Sequence, residues 1–174
     1  MVAAVVLLLP VPRSPDPIIH YTLIMIIGEQ APDLLGYDEA GNELRLSAFR
    51  GRKVVLYFYP KDNTPGCTAE ACSFRDHYDE LREAGYEVIG VSADSARSHQ
   101  NFRERHGLPF HLIADTEHRL LEAFGAWGEK KMYGRTYMGV FRTTFLIDEE
   151  GRISRIFLPK EIKTKIHAEQ VLKA

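Results

Sequence analysis

The chain holds two cysteines, Cys67 and Cys72, set five residues apart in Pro60-Lys-Asp-Asn-Thr-Pro-Gly-Cys-Thr-Ala-Glu-Ala-Cys72. That segment directly follows the apolar run Val54-Val-Leu-Tyr-Phe-Tyr59. A short apolar run bounded by Pro and Gly predicts a buried strand. Thr64-Pro65-Gly66 predicts a helix start, with Thr64 as N-cap and Pro65 at the first helical position. Cys67 then falls in the first helical turn, where unpaired backbone N–H groups and the positive end of the helix dipole favour an anion. A thiol placed there is biased toward thiolate, which is the nucleophilic form.

The second thiol restricts what the first can do. On one regular helix, a rise of about 1.5 Å and a turn of about 100° per residue leave the two Cα atoms roughly 8–9 Å apart on separate faces. A disulfide needs them within about 7 Å. The pair is therefore read as a nucleophile and a delayed partner, joined only if at least one helical turn unwinds. A structural disulfide fails on the same geometry. Structural zinc lacks a recognised ligand set among two cysteines and scattered histidines. A small buried residue remains the plain alternative for Cys72, followed as it is by Ser73 and Phe74. It is a weak alternative for Cys67, because a helix start after a glycine is a poor place to bury an inert thiol.

The elements that would position these thiols alternate along the chain. A hairpin is expected over 34–46 with Glu39-Ala-Gly-Asn42 as its turn, then the strand 54–59 and one helix over 66–84. A strand at 86–92, a helix at 96–106, a strand at 109–114 and a helix at 117–124 follow. The chain closes with a hairpin of 143–147 and 152–157 around Asp148-Glu-Glu-Gly151, and a helix over 165–172. Strands alternating with helices predict an α/β class with a central mixed sheet flanked by helices. Trp127, Tyr133 and Tyr137 fall in a Gly-rich aromatic stretch expected to be a packed loop, with the rim of a substrate pocket or a reductase docking surface as the functional alternative. Lys130-Lys131 in the same stretch is read as a solvated loop. His77, His99, His106, His111, His118 and His167 show no common spacing and are expected to be solvated or in the core.

The residues 57–72 resemble the active-site segment of peroxiredoxins, in particular the Q type, also called bacterioferritin comigratory protein. The resemblance runs from Ala31-Pro-Asp33 through 127–148 to His167-Ala-Glu-Gln-Val-Leu172. It implies a thioredoxin-like fold with an N-terminal β-hairpin and the nucleophile on the first βα turn. It also implies that Pro60 shields the site, that Thr64 hydrogen-bonds thiolate and peroxide, and that Cys67 attacks. Arg142 would polarise the peroxide. On spacing alone Arg142 and Arg75 compete as the cation near the thiol, and the resemblance selects Arg142. Glu70 could orient an arginine, with a solvated first-turn carboxylate as the other account.

The activity implied is thiol-dependent reduction of hydrogen peroxide or alkyl hydroperoxides. Cys67 becomes a sulfenic acid, Cys72 condenses with it, and thioredoxin or a similar dithiol protein restores both thiols. No cofactor and no metal are called for on this chain, and a cytoplasmic monomer is expected. A redox-sensing binding protein switched by the Cys67–Cys72 pair is the alternative from another class. A general thiol-disulfide oxidoreductase is disfavoured by the spacing.

Whole-chain features agree with one enzyme domain. The 174 residues, 45% hydrophobic and 26% charged, have ordinary globular composition, and a formal net charge of −2 gives no argument for nucleic acid or an anionic membrane. Residues 1–24 read differently from the rest. Val2-Ala-Ala-Val-Val-Leu-Leu-Leu9 is far shorter than the ~20 residues that span a bilayer, and four prolines follow it. It lacks a basic n-region and a clear cleavage site. Residues 1–24 are expected to be an upstream extension or a misassigned start, with an exported form as the minor alternative, and 25–174 the catalytic domain.

Overall fold

A computed structural model describes residues 25–174; the reading of residues 1–24 lies outside them. The two strands β1 (Leu34–Tyr37) and β2 (Glu43–Arg45) form the expected N-terminal hairpin. Next come β3 (Lys53–Phe58), α1 (Pro65–Asp76), α2 (Tyr78–Glu83), β4 (Tyr86–Ser92) and α3 (Ala96–His106). The second half holds β5 (His111–Ala114), α4 (Arg119–Ala123), β6 (Trp127–Met132), β7 (Arg135–Val140), β8 (Thr143–Ile147), β9 (Ile153–Phe157) and α5 (His167–Leu172).

The central sheet has the order β5-β4-β3-β8-β9. The first three strands are parallel and β8 and β9 antiparallel, so the sheet is mixed as expected. It is buried on both faces, and β3 shows how. Val54, Leu56 and Phe58 join one core with Leu120 and Leu121 of α4 and Phe124 just after it. Val55, Tyr57 and Tyr59 point the other way, toward Cys67, Ala71 and Phe74 of α1, Phe102 of α3 and Val171 of α5. The helix that carries Cys67 thus lies on the same face as α3 and α5.

Two expectations fail. The single helix over 66–84 is two, because His77 leaves the helical region at φ −109, ψ 17. The stretch 127–140 is a β6–β7 hairpin rather than a packed loop, with Tyr133 97% and Tyr137 41% exposed. Trp127 does pack, its ring stacked on His118 at 3.7 Å. The hairpin turns at Tyr133-Gly134, both with positive φ, which is the backbone a two-residue hairpin loop requires.

Candidate active site

Register brings the distant arginine to the thiol. In the antiparallel pairing of β3 with β8, Phe58 lies opposite Thr143. Arg142, one residue before β8, therefore stands beside the C-terminal end of β3, where the chain turns through Pro60–Thr64 into α1. Parallel strands β3, β4 and β5 all end on this side, the usual place for sites in open α/β sheets.

Cys67 occupies the third position of α1 and is 1% exposed. Arg142 Nη2 donates to its Sγ at 3.3 Å, while Nη1 pairs with Glu70 Oε2. The guanidinium fork thus joins two side chains one helical turn apart. Arg75, the competing cation, instead bonds Asp76 and the His106 carbonyl. Gly66 makes the approach of Arg142 feasible, because a Cβ there would sit 3.3 Å from Nη2. Burial works to lower the pKa of Arg142, but the Glu70 carboxylate and the Cys67 sulfur outweigh it and hold it above its ordinary value. Glu70 is fully buried, so the solvated reading of this residue does not hold. Burial pushes its carboxyl up to about 7 against the pull of Arg142.

The turn before α1 is tied down from beneath. Asp62 Oδ1 accepts from the Tyr59 hydroxyl at 2.7 Å, and Oδ2 accepts from Ser98 Oγ at 2.7 Å and faces His99 Nδ1 at 2.8 Å. Its backbone N–H donates to Asp94 at 2.9 Å. Burial raises the Asp62 pKa, and these partners, His99 foremost, lower it below the usual carboxylate range. The Asp62, Asp94 and His99 ligand atoms lie close enough to hold an ion, but their hydrogen bonds to one another already account for the arrangement. Thr64 is the N-cap residue by backbone, yet its hydroxyl donates to Lys61 O at 2.9 Å and neither caps the helix nor reaches Cys67. Pro60 is half-buried at the head of this turn.

Comparison with known proteins decides the family. Residues 27–156 match the AhpC/TSA family. Peroxiredoxin Bcp of Bacillus subtilis is 49% identical over 146 residues, which is 84% of this chain and 92% of that protein. Peroxiredoxin Bcp of Escherichia coli K12 is 43% identical over 83% of this chain and 92% of its own length. The chain belongs to the AhpC/TSA family. Within it the chain is a peroxiredoxin of the Q, or bacterioferritin comigratory protein, type, a thiol peroxidase. The structure of the Xanthomonas campestris bacterioferritin comigratory protein, studied for alkyl peroxide reduction, superposes with a TM-score of 0.77 at 36% identity. It covers 87% of this chain and 95% of that one.

In this peroxiredoxin, Cys72 is half-buried on α1, and both thiols are free. The helical separation read from the sequence therefore holds, with 67 and 72 on one continuous helix. Sequence reasoning misjudged Lys130. It is half-buried on β6, donates to Val140 O at 3.0 Å, and lies 5.9 Å from the Tyr137 ring centroid. Burial, and then the neighbouring Arg142, lower its pKa while Cys67 raises it, so it is a half-buried cation rather than a solvated one. Lys131, its neighbour, is exposed as expected. His99 and His167 are in the core, as allowed, but each carries a hydrogen-bonded role that spacing alone did not reveal.

Proposed function

We propose that this peroxiredoxin reduces hydrogen peroxide and organic hydroperoxides through Cys67, with Cys72 as resolving residue and a thioredoxin-like dithiol protein as electron donor. The Arg142 fork carries the reading. It sets one guanidinium N–H on Cys67 Sγ at the head of α1 and anchors the other on Glu70. The Cys67 thiolate attacks one peroxide oxygen, so that an S–O bond forms and the O–O bond breaks. The departing oxygen leaves as alkoxide or hydroxide and takes a proton from solvent. Arg142 and the first-turn N–H groups are preorganised donors for that developing charge. Pro60 covers the sulfur, and Thr64 turns its hydroxyl from Lys61 O to the peroxide once it is bound.

Cys72 then attacks the sulfenic sulfur, an S–S bond forms and hydroxide leaves as water. A dithiol protein exchanges with the disulfide, is itself oxidised, and restores both thiols. The Xanthomonas campestris protein has been examined as serine variants of two cysteines 36 positions apart (84 − 48). Here the only two cysteines are five apart (72 − 67), so resolution within one chain falls to Cys72. Cys67, Arg142 and Glu70 meet within one chain, which supports reading the enzyme as a monomer. Among the described residues no helix is long and apolar enough to cross a membrane.

The test couples intact mass to turnover. One equivalent of peroxide should remove two hydrogens, and NADPH should be consumed catalytically with thioredoxin and its reductase. Cys72→Ser should instead accumulate a dimedone-reactive sulfenic acid on Cys67. Disulfide formation without turnover would favour a redox-sensing role, and an unmodified Cys67 would overturn the mechanism.

A further inference from the structure

Next to the second oxygen of Glu70 lies a buried histidine that the peroxide chemistry just described does not use. Glu70 Oε2 is taken by Arg142, but Oε1 is buried with no hydrogen-bond partner. It faces His167 Nε2 at 3.8 Å, longer than a hydrogen bond, and both side chains are 0% exposed. Orphaned buried oxygens of this kind are rare and costly, so one at the reactive centre points to a partner that moves or a proton not yet placed.

Hydrogen-bond logic settles the histidine's tautomer. Gln170 Nε2 donates to Glu161 O at 2.8 Å, and Gln170 Oε1 accepts from Lys163 N at 2.9 Å. Its oxygen is therefore the atom that meets His167 Nδ1 at 3.1 Å, so Nδ1 carries the hydrogen. Nε2 then presents its lone pair and accepts from the Thr144 hydroxyl at 2.8 Å. A bare carboxylate oxygen facing that lone pair is repelled by it, whereas a protonated Oε1 can donate to it after a shift of about 1 Å. The Thr144 hydroxyl is free to rotate and yield the nitrogen.

We propose that His167 is a positioning residue for peroxide reduction: through Oε1 it biases Glu70 toward its acid form, which leaves the Arg142 charge for Cys67 and the departing oxygen. When Glu70 ionises, its carboxylate competes for that charge. The titratable groups near the pair are few. Glu70 and Cys67 come from α1, Arg142 from the segment before β8, and Tyr57 from β3, its buried hydroxyl also without a partner and held neutral because burial and the Glu70 and Cys67 charges push its pKa well up; Thr144 on β8 and Gln170 on α5 are neutral polar partners. The Phe74 and Phe157 rings close the remaining sides, each with its centroid 5.3 Å from that of the imidazole. Burial keeps His167 itself neutral, down at about 4, in keeping with this arrangement. The C-terminal helix thereby reaches the active site through one side chain.

This inference rests on the peroxidase reading, and its test begins where that reading plays no part. Histidine ring nitrogen NMR on the reduced, resting wild-type chain between about pH 5 and 9 should show the Nδ1–H tautomer of His167. Its Nε2 resonance should step with a titration that vanishes in Glu70→Gln. An Nε2–H tautomer, or the same titration in Glu70→Gln, overturns the proposal whatever the enzyme's activity. The kinetic arm follows the pH profile of peroxide reduction. The wild-type rate should fall about threefold or more as Glu70 ionises, and His167→Asn should move that inflection by about one pH unit. His167→Gln, whose amide oxygen can take the Nε2 position, should move it back toward wild type. A His167→Asn profile that superimposes on wild type overturns the proposal, and if that variant fails to fold the wild-type NMR decides.

Discussion

An alanine at position 66 would place its methyl carbon 3.3 Å from Arg142 Nη2, tighter than nine in ten such contacts, so the guanidinium must give by a few tenths of an ångström. Nη1 is held by Glu70, and Nη2 is the atom on Cys67 Sγ at 3.3 Å, so the displacement comes out of the sulfur contact. A hydrogen bond to a charged group contributes about 1.5–3 kcal/mol. Losing about 1 kcal/mol of it slows peroxide reduction about fivefold, and losing all of it roughly 10- to 150-fold. Stability should move less. Gly66 has no positive φ and sits in the first turn of α1, so the helix-propensity gain of Gly66→Ala, up to about 1 kcal/mol, offsets part of the weakened contact. Stopped-flow rates on the reduced protein and urea unfolding of the same sample separate the two effects. A slower enzyme whose stability is within about 1 kcal/mol of wild type is the expected result. A rate within about twofold of wild type would refute the claim that Arg142 acts through contact with Cys67.

Arg142→Lys keeps the charge but replaces the fork with a single point donor that cannot serve Cys67 and Glu70 together, so the peroxide rate should drop at least about tenfold with the fold intact by circular dichroism. Asp62→Ala strands the Tyr59 hydroxyl, Ser98 Oγ and His99 Nδ1 in the interior; urea titration should show a loss of about 3 kcal/mol, and a loss under about 1 kcal/mol would mean the turn is held elsewhere. Burial pushes Glu70 up to about 7, so its contribution to stability is lost as pH rises from about 4.5 to 7, while His167, pulled down to about 4, costs stability as pH falls from about 6.5 to 4. The two slopes cancel where they overlap, and Glu70→Gln should uncover the second as a rise of about 1.4 kcal/mol per pH unit from pH 4 to 6.5, with a flat profile counting against the buried neutral imidazole.

The place of Cys67 after a buried strand and at the head of a helix was legible because its signals are local. A buried strand, a Pro-Gly turn and a cysteine three residues into a helix can all be read from 54–67 without tertiary information. The helix break at His77 was not, since no Gly or Pro marks it; there the His77 ring Nδ1 meets Ser73 O at 3.0 Å and shares the carbonyl that its own N–H reaches at 3.3 Å, a side-chain contact that no spacing rule announces. The β6–β7 hairpin was missed for a different reason. Residues 131–138 are all exposed, so no alternation of apolar and polar residues records the strands there, and Tyr133 occupies a turn position where Asn or Asp would have announced it. Arg142 could be placed only by resemblance, because it lies 75 positions from Cys67 and the β3–β8 register that joins them is a property of the sheet. The Glu70–His167 contact spans the molecule in the same way, and no spacing rule finds it.

In the proposed cycle, activation and resolution draw on the same contacts. Bringing Cys72 to Cys67 requires the start of α1 to unwind, and that turn carries both anchors of the Arg142 fork. One residue beyond Cys72 the helix is pinned again, because Ser73 Oγ accepts from Ala168 N at 3.1 Å and the Phe74 ring packs on His167. Unwinding therefore has a natural limit just past the resolving cysteine. Electrostatics also give it an order. While Cys67 is a thiolate, its charge holds Arg142 and the helix start together. Once it has become a neutral sulfenic acid that attraction is gone, and the turn that must open has lost one of its two tethers to the chemistry itself. The step that creates the need for Cys72 is thus the step that lowers the cost of reaching it.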